Sequence, residues 1–262
     1  MTAAVTPTRP RPPVVSELLS DVAAVQPGEG FAVAVRLRIQ PGWHVYWLNP
    51  GDSGLAPRLS WKLSAEVSVG PIQWPVPRGL PSAAAMSYGY EEEVMLLAMI
   101  ETTRILAFGE TVEIGVRADW LACGTGCLRG AAEHALSLPI ASGPAKVPSS
   151  HETAFAGARR QLPVERPDGI SAVYVRTGDA LMVVFNLPAG MVVESRDVYF
   201  FPCEQGLFKS LPTQPKTVLD RRIELGLQLI GPTVEVPSRL RGVLVLGPGI
   251  GDGYAVEATP WQ

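Results

Sequence analysis

The sequence predicts an all-β protein built as two β-sandwich domains joined by a linker that carries one short helix. Three observations lead there. Glycine and proline number 26 and 25 in 262 residues, roughly 19% where about 12% is usual. Both interrupt helix interiors and they recur from end to end, so long helices and bundles are excluded. Segments of alternating apolar and polar residues recur along the chain, the period of strands with one buried face. Between Pro139 and Pro163 the pattern breaks, leaving a stretch on either side that is long enough for a core of its own.

Taken in order, residues 1–13 are rich in Pro, Thr and Arg and read as a disordered, solvated tail. The first domain is expected over 14–140. Phe31, Val33, Val35, Leu37 and Ile39 fall on one face of a half-buried strand, with Arg36 and Arg38 opposite. Pro41 to Gly54 mixes aromatics (Trp43, Tyr46, Trp47) with turn formers and reads as an aromatic strand running into a turn. Tyr88-Gly89-Tyr90 reads as an aromatic turn before the apolar strand Val94 to Ile100. From Thr111 a long strand places Val112, Ile114, Val116, Ala118, Trp120 and Ala122 on one face, and Cys123 then points the other way.

The linker is expected over 141–163, its segment SSHETAFAGARRQ forming a short helix with a serine at the cap and Arg159 and Arg160 near the end. The second domain, 164–262, resumes strands at Val173 and Val175. Leu181 to Leu187 follows across a Thr177-Gly178-Asp179 turn, and Ile223 to Leu229 alternates apolar with polar residues. A last strand pair flanks a turn between Gly247 and Gly253. That Gly-rich stretch follows no βα unit and lacks the spacing of a dinucleotide loop.

A net charge of −3, with 22 basic and 25 acidic residues intermixed, offers no footprint for nucleic acid or an anionic membrane. The longest apolar run has seven residues, Val94 to Ile100, against roughly 20 needed to span a bilayer as a helix. No direct membrane insertion is expected, and the start of the sequence shows no secretory signal pattern.

The sharpest chemical feature is Leu121-Ala122-Cys123-Gly124-Thr125-Gly126-Cys127. A strand enters Cys123 and a three-residue loop, with Gly at a left-handed position, returns it at Cys127. Opposed strand residues have Cα atoms roughly 4.5–5.5 Å apart, within reach of a disulfide. The pair can be redox-active, a structural hairpin disulfide, or part of a metal site. A loop this small gains little chain-entropy stabilisation, which favours the redox reading. For metal, Cys203 is the weak candidate beside His134 and His151, and none stands at zinc-like spacing. Gly51-Asp52-Ser53-Gly54 copies the letters around a serine-protease nucleophile, with His44 upstream. The spacing does not supply a triad from separate parts of the fold, and a turn is the better account.

Five segments in order, PGWHVYWLNPGDSGL, IQWP, SYGYEEEVMLL, DWLACGTGC and VYFFPCEQG, resemble the amino-terminal periplasmic region of the DsbD/ScsB family of thiol:disulfide interchange proteins. The likeness is nearest to the ScsB, suppressor-of-copper-sensitivity, branch with its three residues between the cysteines. The resemblance implies two immunoglobulin-like β-sandwich domains and no cofactor beyond a redox-active Cys123–Cys127 disulfide. A thioredoxin-like electron donor, as a domain or a separate protein, would reduce that disulfide. The dithiol would then reduce periplasmic disulfide-bearing proteins, with Cys127 attacking and Cys123 resolving. It also implies a protein-disulfide reductase placed in the periplasm, its signal peptide removed, and a chain that is cut from a longer membrane protein or stands alone. Tyr88, Gly89 and Tyr90 lie where the family has a loop shielding the cysteines. Arg129 would stabilise a thiolate at Cys127, and Asp119 would oppose one at Cys123. Leu128-Arg129-Gly130 departs from the family's proline after the second cysteine, and Cys203 has no family role. A Cu(I)-binding or adaptor module linked to copper tolerance is the alternative, since thiolates suit that soft ion.

Overall fold

The computed structural model describes residues 11–82, 85–104, 106–141, 147–165, 169–191, 193, 198–210, 214–247 and 252–261. Residues 1–10 of the expected tail, 142–146 of the expected linker and 248–251 of the last turn lie outside these. The first half forms β1 (Val14–Ser20), β2 (Val22–Ala24), β3 (Phe31–Ile39), β4 (His44–Gly51), β5 (Arg58–Leu63) and β6 (Val67–Val69). It continues with β7 (Arg78–Pro81), β8 (Met86–Tyr90), β9 (Glu93–Thr102), β10 (Thr111–Cys123), β11 (Cys127–Pro139) and β12 (Val147–Pro148), then the helix α1 (Glu152–Arg160). The second half forms β13 (Ser171–Thr177), β14 (Ala180–Asn186), β15 (Tyr199–Pro202) and β16 (Phe208–Lys209), then β17 (Lys216–Leu219), β18 (Arg222–Leu229), β19 (Leu240–Val245) and β20 (Gly253–Pro260). The protein is all-β, as its glycine, proline and alternation patterns require.

A sheet ordered β1-β3-β9-β6 and a second ordered β11-β10-β4-β8-β7, with β5 on β10, supply the first core from both sides. Val33, Val35, Leu37, Leu96 and Ile100 from one sheet meet Val45, Trp47, Val112, Ile114 and Ala118 from the other. The second half hydrogen-bonds into one eight-stranded sheet, β15-β19-β20-β13-β14-β18-β16 with β17 on β18, in which β13 and β20 run parallel. Its inward side chains, Phe185, Phe200, Ile223, Leu240 and Ala258 among them, form one cluster, so the sheet folds over its own core.

Three local expectations change. The first half of β3 is buried on both faces, because α1 covers its second face there: Phe155 and Ala158 pack with Ala32, Ala34, Leu19 and Leu97, while Arg38 stays exposed. The helix is not capped by a serine side chain. Its N-cap is His151, and the Ser149 hydroxyl instead donates to the Ser20 carbonyl while accepting the His151 amide, which ties the helix start to β1. At the other end Arg159 reaches the buried Asp21 carboxylate at 2.6 Å, which also accepts the Ala32 amide. Burying a carboxylate is costly unless it is paired and hydrogen-bonded in this way. The tail is anchored before β1, since Gln40 takes Pro13 through its amide and Arg11 and Pro12 through its side chain.

The halves are joined by more than a linker. Phe201 and Val243 of the second half belong to the first half's core cluster. Asn49, buried, donates to the Pro202 and Glu204 carbonyls at 2.7 and 3.1 Å. Asp52, in the Gly51–Gly54 turn, accepts the Met86 and Ser210 amides at 2.8 and 2.6 Å. Gly51 and Gly54 hold φ of 84° and 116° there, a conformation open to glycine. The protease-like letters therefore spell a clamp between the halves, its carboxylate committed to two backbone amides.

Candidate functional site

Strands β10 and β11 pair without a break from Thr111↔Pro139 to Cys123↔Cys127. The alternation that drives β10 into the core carries on to Ala122, and the hairpin then closes through Gly124-Thr125-Gly126. At its mouth Cys123 and Cys127 form a disulfide with Cα atoms 4.1 Å apart. The cysteines are unequal: Cys123 is 4% exposed, and Cys127 lies open on the surface.

The loop glycines serve a different purpose from the expected one. Neither is left-handed. A Cβ on Gly124 would sit 2.5 Å from the Gly42 carbonyl oxygen and 3.2 Å from the Trp43 ring, so Gly124 is needed for close approach to the turn before β4. Gly126 has open space around it. A Cβ on Gly130 would meet the Trp120 ring at 2.3 Å. That packing accounts for a glycine in the stretch where the family usually has proline.

β10 changes partner near its end. Ile114 to Asp119 pair with β5, whereas Ala122 and Cys123 pair with Val45 and His44 of β4. Cys123 thus sits in the ladder between Cys127 and His44. The His44 ring packs edge-on against Tyr46 at 5.1 Å between centroids, and its Nε2 is buried with no hydrogen-bond partner. Burial holds its pKa below the usual imidazole value, with the Glu91 charge pulling the other way. His44 and Trp43 escaped the sequence reading as parts of a redox site, because nothing local reveals which strand β10 meets at Cys123.

Tyr88, Gly89 and Tyr90 are not a turn but the strand β8, which pairs with β4; the turn follows at Glu92, with φ 62°. Register parity decides their faces. Ala122, Val45 and Tyr90 lie in one row on the core face, while Cys123 and His44 lie on the opposite face. Tyr88 is on the core face too. Its hydroxyl pairs with that of Tyr199 at 2.9 Å and its ring packs on Phe201, while Tyr90 donates to the Pro75 carbonyl at 2.7 Å. The tyrosines therefore lock the core and the second half rather than cover the cysteines, and the turn bearing Gly42 and Trp43 is what touches the loop. Only Gly89 shares the Cys123 face.

Arg129, exposed, follows Cys127 by two residues on the same face. Asp119 shares the Cys123 face but stands four residues down the strand, about 13 Å away by strand rise. It is held by Arg117 at 2.9 Å, so its charge is answered locally. Beside Cys127 a groove of ≈ 430 Å³ is lined by Val15, Trp120, Leu128 and Arg129 among others.

Cys203 stands apart, on the loop after β15, with its amide bonded to the Arg241 carbonyl. It lines a ≈ 1000 Å³ cleft with Trp47, Trp74 and Arg241. Burial, seconded by Glu204, pushes its thiol up to about 12 from 9.0, which cuts its thiolate fraction about a thousandfold at a given pH. After mild reduction of the native protein, iodoacetamide is expected to label Cys127 first and Cys203 last, read by peptide mass spectrometry. Equal labelling rates would contradict this picture. His134, bonded to Ser16, and His151, at the helix start, lie on other elements. Among the described residues no three His, Cys, Asp or Glu side chains gather as a metal site would need, and no helix is long and apolar enough to cross a membrane.

The family model for thiol:disulfide interchange protein DsbD, N-terminal, matches residues 15–139, from β1 to the end of β11. Among solved structures, the N-terminal periplasmic domain of ScsB from Proteus mirabilis has a TM-score of 0.67 at 15% identity, covering 96% of this chain and 94% of that one. The likeness shows a shared fold across both halves. Domains 4–9 of the surface layer protein SbsC give 0.25 at 13% identity over 95% and 32% of the two chains. The YadV chaperone gives 0.24 at 10% over 92% and 98%. Scores that low carry no argument. No curated protein matches the sequence.

Proposed function

Residues 15–139 belong to the DsbD N-terminal family of thiol:disulfide interchange proteins, and on that premise we propose that this chain is a periplasmic electron relay, a protein-disulfide reductase working through Cys123 and Cys127. The observation that carries the reading is the unequal exposure of the two bonded cysteines at the hairpin tip. A donor thiolate of thioredoxin-like chemistry attacks the exposed Cys127 Sγ, and the S–S bond breaks with its electron pair leaving on Cys123. The donor's second thiolate then frees Cys127, so two electrons enter as a dithiol. In the delivering half, Cys127 attacks a partner's disulfide and releases one partner thiol. Cys123 then attacks Cys127 Sγ, re-forming the intramolecular disulfide and releasing the second thiol.

A purely structural disulfide is the poorer account. Closing so short a loop contributes about 2 kcal/mol in the chain-entropy model, against about 4.7 for a loop of 100 residues, and the ladder from Thr111 to Cys123 already holds the ends together. Exposed Leu128 and the groove beside it offer a partner apolar surface next to Cys127.

The test is the reduction potential of the pair, measured against glutathione, together with reduction by a thioredoxin-like domain with and without Cu(I). A relay is expected to exchange and to lie above about −300 mV. A lower potential with no exchange would make the bond structural. Protection of both thiols by stoichiometric Cu(I) would point instead to the metal-binding module.

A further inference from the structure

We propose that His44 handles the proton of Cys123, drawing it off when Cys123 resolves a mixed disulfide. The inference rests on the exchange reading above. Its geometric basis is the register: His44 and Cys123 are direct cross-strand partners, which sets their side chains on one face with Cβ atoms about 4.5–5.5 Å apart. The second basis is the vacancy at Nε2, buried without a hydrogen-bond partner in the disulfide form. A buried polar atom left so costs about 1–3 kcal/mol. The chain's other ladder histidine, His134, has its Nε2 satisfied by Ser16 at 2.8 Å.

Reduction supplies what Nε2 lacks. In the disulfide Cys123 has no proton to give, and in the dithiol it carries an S–H across the ladder from the imidazole. Burial favours the neutral imidazole, the form that accepts a proton, against the pull of Glu91. Cys123 needs the help, because a buried thiol gives up its proton less readily than an exposed one. Cys127, exposed and beside Arg129, does not. The charged and titratable groups that bear on His44 are Cys123 from β10, Glu91 just past β8, and Tyr46 on its own strand.

Cys127 is joined to the partner through a disulfide. Nε2 takes the Cys123 proton, and the thiolate attacks Cys127 Sγ. The Cys127–partner S–S bond breaks, and its electron pair leaves on the partner sulfur. The imidazolium then gives its proton to that thiolate or to water. Two electrons have passed to the partner, and the intramolecular disulfide is restored.

The experiment uses the reduced full chain in a Cys203→Ser background and the aromatic disulfide 5,5′-dithiobis(2-nitrobenzoate) as probe. Attack by Cys127 releases the first coloured thiolate, and resolution by Cys123 releases the second. His44→Gln is expected to slow the second release by about 10²-fold and leave the first unchanged. It is also expected to remove the loss of rate that the unsubstituted chain shows as pH falls through the imidazole titration. A second release in His44→Gln with unchanged rate and pH profile would overturn the proposal. Should the variant fold poorly, the His44 ring titration followed by NMR in the unsubstituted protein decides: it is expected to differ between disulfide and dithiol, and identical titrations would overturn the assignment. An unsubstituted chain that releases only one thiolate would overturn the exchange reading itself, and this inference with it.

Discussion

A Cys123→Ala variant is expected to arrest the reaction at its first half and accumulate a stable mixed disulfide between Cys127 and a disulfide-bearing partner, visible on a non-reducing gel and reversed by dithiothreitol. Cys127 is open to solvent while Cys123 is 4% exposed, so only Cys127 can meet a large partner's sulfur in line. Without Cys123 no thiol lies across the ladder to displace the partner, and turnover is lost. The remaining free thiol, Cys203, is no substitute: its pKa, pushed up to about 12, leaves it protonated at neutral pH. Cys127→Ala is expected to give no adduct, since its remaining sulfur is enclosed beneath the hairpin mouth. Trapping by Cys127→Ala and not by Cys123→Ala would reverse the order of attack. In either variant the stability lost with the cross-link is expected to be about 2 kcal/mol, small enough that both remain folded and the comparison is one of chemistry.

Gly89→Ala is expected to lower stability by about 3 kcal/mol, as overpacking against an unyielding neighbour does, read as a lower urea midpoint at unchanged slope. An added Cβ would lie 2.1 Å from the Val45 carbonyl oxygen and 3.2 Å from the Tyr46 Cα. Both are backbone atoms of β4, so no side chain can swing aside, and β8 must part from β4. The same strand carries His44 to Cys123, and the variant is expected to lose exchange rate only in proportion to the unfolded fraction. Gly126→Ala is the control, with nothing within 4 Å of its Cβ, and is expected to sit close to the unsubstituted midpoint. Equal stability of Gly89→Ala would mean that β4 and β8 do not meet as described.

The separate roles of Gly89 and Gly126 show where sequence reading stops. The strand from Thr111, its loop and the return at Cys127 were legible because a hairpin is local: alternation sets the strand, three small residues set the turn, and the cysteines meet by register. The same holds for β13 and β14 around Gly178, which has φ 63°, and for the alternating strand β18. Reading failed where a residue's meaning depended on a distant segment. Tyr88 and Tyr90 stand in the right part of the chain for a shield, yet pairing with β4 turns them inward. The strand with Arg36 and Arg38 on its outer side reads as half-buried, yet Phe155, over a hundred residues away, covers Ala32 and Ala34 on that side.

By itself, then, the sequence determined the all-β class and the hairpin that sets Cys123 opposite Cys127. The tertiary structure alone decided which cysteine is exposed, that His44 stands across the ladder from Cys123, that Gly124 admits the turn at Gly42, and that Asn49 and Asp52 bind the halves together. The physical reason is that side chains alternate faces with a period of two along a strand. A strand's own pattern tells which residues share a face, but which strand lies beside it, and in what register, is settled by the packing of the whole chain.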